Sequence, residues 1–465
     1  MNLNQTLQEK YPHLEVSVFS YSKVKEHLIF GSEFNSNTRE NAIQSIVSNK
    51  NVNDYFELIN TNVSTLKEFI YIYDLTHSLG NFMIDVEPTQ EIGSNKKEAI
   101  KGDFVISRLR SYLKEMAVIQ SKNFKQLLST EYLVYRPKTN LLSSNTLLAF
   151  SLSRIVQTIL NYSQYGTEHP RFYEFVFNEM PIPKCLLLMN AEIDSIMNKA
   201  YEVLEQSKIF YKKAEETLYL ELGLDPKNPL QSLLDSKTNI PTNSLNISIR
   251  TLKESFLKTG RLDSEYYQSK YEDIEKFIKS YPNGYDSFSN IINNKDTNFT
   301  PKNNENYSYI ELANIGNNGN ISEPISDLGK NLPTRARRIV SKGDVIISSI
   351  EGSLSSCALI TQEFDKHLVS TGFFVLNSKL LNGETLLVMF KSQIFQEYLK
   401  KFPSGTILCA INKEELSKIL IPKIDSTTQE KIAKYIQESF NLRKKSKQLL
   451  DNAKNKVEEQ IQGKI

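Results

Sequence analysis

The chain has 465 residues, 40% hydrophobic and 24% charged, which predicts two to four folded units at roughly 100–200 residues each and excludes a wholly disordered or fibrous protein. With 56 basic and 54 acidic side chains the net charge is +2, so binding driven by a global positive field is excluded while local basic patches stay open. Three scattered cysteines (Cys185, Cys357, Cys409) form no disulfide framework or metal knuckle, no apolar run approaches the roughly 20 residues of a membrane span, and no leader pattern opens the sequence; a cytoplasmic protein is expected.

Along the chain, short apolar runs such as Phe104-Val105-Ile106 sit between Gly, Asn and Pro turns and predict short strands in an α+β fold. These runs recur. Lys101-Gly102-Asp103 is matched by Lys342-Gly343-Asp344, Met116–Ile119 by Cys357–Ile360 and Leu128-Ser129-Thr130 by Val369-Ser370-Thr371, always 241 residues later. Gly166-Thr167 matches Gly405-Thr406, and Ile182-Pro183-Lys184 matches Ile421-Pro422-Lys423, 239 residues later. The chain is therefore two copies of one unit. Lys-Gly-Asp before a strand reads most simply as a tight turn in which Asp caps the backbone.

Each copy closes with a helical pattern. Ile193, Ile196, Met197, Ala200, Val203, Leu204, Phe210, Tyr211, Ala214 and Leu218 form one stripe, and Ile432, Tyr435, Ile436, Phe440, Leu442, Leu449, Leu450, Ala453, Val457 and Ile461 the other. Asn190 is the expected N-cap of the first and Thr427-Thr428-Gln429-Glu430 has capping-box form for the second, while Gly223 and Asp225-Pro226 end the first. Rods of roughly 45 and 50 Å are expected, packed on each other and antiparallel. The expected organisation is a globular domain over 1–187, a long helix over 188–223, a linker over 224–245, a second globular domain over 246–425 and a closing helix over 426–465.

Catalytic signatures are missing. The sequence has no Walker loop, no GxGxxG, no HExxH and no Pro-Pro pair of the kind adenine methyltransferases need, and His13, His27, His77, His169 and His367 lie far apart. No catalytic residue, metal ligand or cofactor is assigned to this chain. Basic residues instead cluster twice at equivalent places: Lys96, Lys97, Lys101, Arg108, Arg110, Lys114, Lys122 and Lys125 in the first copy, and Lys330, Arg335, Arg337, Arg338 and Lys342 in the second. Arginines there could grip phosphates or guanine edges; a solvated face is the plainer reading of either cluster alone. The loop Gly166–Phe172 carries polar tips, Arg171 and an aromatic, and its counterpart after Gly405-Thr406 diverges completely. That fits different surfaces presented on a common frame, although drift of a packing turn fits as well.

The second copy reads Gly260-Arg261-Leu262-Asp263-Ser264-Glu265-Tyr266-Tyr267, Tyr309–Ile315, Leu332–Arg338, Gly343–Ser353, Ser370–Phe373, Ala410–Leu416, Ile421-Pro422-Lys423 and Gln429–Ile432 in that order. This series resembles the DNA specificity subunit of type I restriction–modification systems, and the first copy shares the likeness from Lys101 to Tyr219. Arg108-Leu109-Arg110 departs from Ser349-Ile350-Glu351, and Lys423-Ile424-Asp425 replaces the Pro-Pro usual before the closing helix. The resemblance implies two pseudo-symmetric target recognition domains separated by antiparallel helices that set the unread spacer. It implies double-stranded DNA as ligand, two methyltransferase subunits and restriction/translocase subunits as partners, and S-adenosylmethionine, ATP and Mg on those partners. The partners would flip the target adenine that this chain selects. Candidate DNA contacts are Arg108, Arg110, Lys114, Thr167, His169 and Arg171 in the first copy and Arg335, Arg337, Arg338, Ser349 and Thr406 in the second. Candidate methyltransferase-subunit contacts are Ile196, Tyr211, Tyr435 and Phe440. The alternatives are the specificity chain of a type IIB or other phage-defence methyltransferase, and a helical interaction scaffold that does not read DNA.

Overall fold

A run that is apolar at every position suits a strand only if both faces of its sheet are covered. The computed structural model, which describes residues 3–463 other than 15, 17, 26, 236–248, 406 and 407, shows this arrangement twice. Phe104–Ser107 is an inner strand of an antiparallel sheet ordered Phe56–Ile59, Tyr132–Pro137, Phe104–Ser107, Met116–Val118. Because successive side chains point to opposite faces, Phe104 and Ile106 enter one core with the helices while Val105 enters another with Tyr73 and Ala99 of a second sheet. The second unit repeats this. Val345–Ser348 lies inside a sheet ordered Ile292–Asn294, Phe373–Ser378, Val345–Ser348, Cys357–Leu359. Val345 and Ile347 go to one core and Ile346 to the other.

The smaller sheets also correspond. In the first unit Ile70–Tyr73 runs parallel to Lys125–Ser129, whose other neighbour Lys96–Ala99 is antiparallel. In the second, Asn306–Ile310 runs parallel to Leu368–Ser370, flanked by antiparallel Ala336–Ile339.

The chain divides into two units, Met1–Leu204 with Lys444–Ile465 and Glu205–Arg443. Both boundaries fall inside long helices, so each helix is shared. The first runs over Lys184–Glu221, 38 residues, and the closing one over Ser426–Gln462, 37 residues. Within the first unit, Ser446 Oγ donates to Ala200 O at 2.7 Å and Lys456 Nζ meets Glu192 at 2.7 Å. Within the second, Ser439 Oγ donates to Ser207 O at 2.7 Å and Thr428 Oγ1 to Glu221 at 2.7 Å. In each unit one helix number rises as the other falls, so the helices pack antiparallel there. Ile193, Met197, Ala453 and Val457 are buried in the first unit, and Ala214, Leu218, Ile432 and Ile436 in the second, as the stripes require.

The helix caps differ from expectation. The first helix begins at Lys184, after Pro183, so Asn190 is internal and its Oδ1 accepts the N–H of Ser143 at 2.8 Å. Its counterpart Gln429 accepts the N–H of Asn382 at 2.9 Å. The closing helix is capped by Asp425, which accepts from the N–H groups of Thr427 (2.8 Å) and Thr428 (3.3 Å), a stronger anionic cap than a threonine box. Gly223, with φ +75°, ends the first helix as expected, Leu224 N–H reaching back to Tyr219 O at 2.8 Å. The expected linker over 224–245 contains the short helix Pro229–Asp235, with Leu224 and Leu233 in the second unit's core; its residues 236–245 lie outside the described residues.

Candidate nucleic-acid interface

Much of the basic clustering is structural. In the Lys-Gly-Asp turns Gly102 and Gly343 have φ of +91° and +87°, and the aspartates cap the turns: Asp103 Oδ2 accepts from Ile100 N–H at 2.9 Å and Asp344 Oδ2 from Ser341 N–H at 2.8 Å. Arg136 grips Asp103 with two 2.9 Å bonds, and Lys295 meets Asp344 at 2.8 Å. Lys97 and Arg338, equivalent residues 241 apart, both turn inward. Lys97 Nζ donates to Tyr132 O at 2.9 Å and Arg338 Nη1 to Phe373 O, which are themselves equivalent. Arg338, an expected DNA contact, is half-buried and spends Nη1 on an interior carbonyl. Lys122 pairs with Asp85 and Lys125 with Glu68.

What remains gathers at one end of each unit. In the first, the chain leaving Phe104–Ser107 meets a hairpin, Gln164–Tyr165 and Arg171–Phe172, whose Gly166 takes φ +85°. Leu109 bridges Arg171, Arg110 N–H donates to Pro170 O (2.8 Å), Phe172 N–H to Arg108 O (3.1 Å) and Arg108 N–H to Glu131 O (3.0 Å). These rungs bring Arg108, Arg110, His169 and Arg171 together. Arg110 Nη2 lies 3.0 Å from His169 Nδ1, and Thr167 and His169 are exposed at the tip. Glu131 takes Arg171 bidentately, with Nη2 at 2.7 Å, and Arg108 at 3.7 Å. The Arg171 bond holds the Glu131 carboxyl below its ordinary range. Lys114 is exposed, at the far end of a 3-10 turn over Ser111–Leu113.

The second unit repeats the rungs with other side chains. Ile350 bridges Ala410, Glu351 N–H donates to Cys409 O (3.0 Å), Ile411 N–H to Ser349 O (2.8 Å) and Ser349 N–H to Gly372 O (2.9 Å). The positions of Arg108, Glu131 and Arg171 are thus held by Ser349, Gly372 and Ala410: a charged trio has become a neutral one on the same backbone. Arg335 joins this end through its carbonyl, which accepts from Thr371 N–H at 2.9 Å, and Arg337 Nε donates to Thr334 O at 2.9 Å. Among the described residues neither has an ion pair. Thr406 lies outside the described residues.

Tyr211, expected to contact a partner, is buried at 6% exposure inside the second unit's core, because it belongs to the helix's apolar stripe; that expectation is corrected. Ile196, Tyr435 and Phe440 are half-buried at the edges of the cores. Glu131 was not foreseen, although the duplication marks it: three positions change together between copies. Among the described residues no cluster of side chains could hold a metal ion, and no helix is long and apolar enough to cross a membrane.

No family model matches the chain. It is 30% identical over 159 residues to the type I restriction enzyme HindI specificity subunit of Haemophilus influenzae, a match spanning 33% of this chain and 33% of that protein. Among solved structures it is similar to the HsdS subunit from Thermoanaerobacter tengcongensis (TM-score 0.28, 14% identity, 90% of this chain and 96% of that one). It is also similar to the type I S subunit from M. genitalium (TM-score 0.40, 12% identity, 89% and 95%). A third likeness is to a chain from work on complex assembly and conformational transition of the type I R-M system (TM-score 0.28, 15% identity, 89% and 96%).

The charged trio makes a prediction. A carboxylate held low when folded stabilises above its unfolded pKa, and that contribution is lost as pH falls through the folded value. Glu131→Gln is expected to lower stability at pH 7 by up to about 1 kcal/mol, the scale of a partly exposed bidentate pair. The gap between the two proteins should narrow below about pH 4 in chemical denaturation. An undiminished gap there would mean that the charge does not organise the arginines.

Proposed function

We propose that this chain is a non-catalytic DNA-recognition subunit that reads an interrupted double-stranded target, one half with each unit, and directs partner adenine methyltransferase subunits to it. One observation carries the proposal: the same backbone rungs hold loop tips of different chemistry in the two units. Main-chain bonds fix geometry without fixing sequence, so each unit can present its own donors and acceptors to DNA from a shared frame.

The chemistry offered suits a duplex. Arg110 and Lys114 in the first unit, and Arg335 and Arg337 in the second, supply cations for phosphates. Thr167, His169 and the Ser349 hydroxyl supply groups that can donate to or accept from base edges. The long helices pass from one unit into the other, so they are the elements suited to setting the length of the unread spacer. Their half-buried edges, at Ile196, Tyr435 and Phe440, are where two methyltransferase subunits would dock. S-adenosylmethionine belongs to those subunits, and ATP and Mg to a restriction/translocase subunit of the same assembly, which acts in the cytoplasm.

The direct test is single-molecule methylome sequencing of cells with and without the gene. One interrupted motif, N6-methylated on both strands, is expected to vanish with the gene; a continuous motif or an unchanged methylome contradicts the reading. In vitro, Arg335→Ala with Arg337→Ala is expected to reduce the slope of log affinity against log salt by about 2, roughly one per lost phosphate contact. Arg338→Met should instead cost about 1–3 kcal/mol of stability with the slope unchanged, since it orphans an interior carbonyl. An unchanged slope in the Arg335/Arg337 variant would favour an interaction scaffold that does not read DNA.

A further inference from the structure

In the first unit the turn Ser111–Leu113 leaves Tyr112 56% and Leu113 37% exposed. The equivalent residues of the second unit, 241 further on, are Ser353 and Leu354. There Leu354 is 4% exposed, inside the core, and Ser353 Oγ bonds Ser348 Oγ at 2.7 Å. Two copies of one frame thus treat the same turn in opposite ways, one folding its apolar residue in and the other holding two outward.

The outward arrangement carries backbone strain. Arg110 and Lys114, on either side of the turn, have φ of +48° and +54°, and Asn81 beside it +61°; none is glycine. Left-handed backbone at such residues persists only where the surroundings enforce it. The surroundings do so here. Asn81 Nδ2 donates to Lys114 O at 2.8 Å and Met116 O at 3.2 Å, Ser111 Oγ to Asn161 Oδ1 at 2.6 Å, and Arg110 N–H to Pro170 O at 2.8 Å. Gln164 Nε2, at the base of the hairpin, donates to Ser111 Oγ at 2.5 Å. A turn fixed from three sides cannot collapse to hide its tyrosine, so the apolar pair is presented as a rigid projection.

We infer that Tyr112, with Leu113 beside it, is a wedge that enters the base stack of bound DNA at the half-target read by the first unit, with no counterpart at the other half. The inference rests on the DNA-recognition reading. Its setting favours DNA over a protein partner: Arg110 and Lys114 flank the projection, cations for phosphates on either side of an apolar tip. Apolar side chains between base steps, with cations on the flanking phosphates, are how proteins unstack and bend a duplex.

The test uses the full chain with its methyltransferase partners on a duplex bearing the interrupted motif, with 2-aminopurine scanned through each half outside the methylated adenines. A fluorescence rise is expected at one step in one half only. The Tyr112→Ser/Leu113→Ser variant should lose it to the level of the free duplex while keeping its circular dichroism spectrum, and Tyr112→Phe should retain it. Binding without any rise, matching rises in both halves, or a rise that the double variant keeps would each overturn the wedge alone. A double variant that loosens the methyltransferase subunits with the fluorescence untouched would assign the turn to protein docking and likewise overturn it. A chain and partners that bind no DNA would overturn the recognition reading and the wedge with it.

Discussion

The exposed ends of the two units depend on a short ladder of main-chain hydrogen bonds. In each unit the segment leaving the inner strand is bonded on one side to the hairpin, through Leu109 and Arg171 or Ile350 and Ala410, and on the other to a residue of the turn before the neighbouring strand, Glu131 or Gly372. Each such bond contributes only about 1 kcal/mol net. Their importance is that they ignore side-chain identity. A tip can therefore exchange Arg, Glu and Arg for Ser, Gly and Ala without moving the frame, which is what a reader of variable sequence needs.

That ladder is only as firm as the strand it hangs from. Phe104–Ser107 and Val345–Ser348 are gripped on both faces, by helices on one side and a small sheet on the other. Inward-turned cations finish the job: buried Lys97 and half-buried Arg338 each cross from the small sheet to a carbonyl of the neighbouring strand, Tyr132 or Phe373. The serines at the helix crossings, Ser446 on Ala200 and Ser439 on Ser207, allow close approach of two backbones where larger residues would hold them apart.

A good deal of this was legible in the residues. The fixed offsets of 241 and 239 announced the duplication, the apolar runs announced short strands, and Lys-Gly-Asp was readable as a capped turn. Linear counting failed where geometry decides. Arg337 and Arg338 are neighbours in sequence, yet alternation along a strand sends one outward and the other to an interior carbonyl. Tyr211 was nominated for a partner although its place in the apolar stripe already required burial. Asn190 and Thr427 had the chemistry of caps, but the first helix opens earlier, after Pro183, and Asp425 caps the second. The left-handed Arg110 and Lys114 left no trace in sequence, because glycine or asparagine would be the expected residues at such φ.

The central claim is that two independent readers share one frame. Its most direct measurement replaces residues 1–185 with the first domain of another specificity subunit and sequences the methylome of cells carrying the chimera. One half of the interrupted motif should change, with the other half and the spacer length preserved. A change in both halves, or a motif wholly unaltered, would contradict the account.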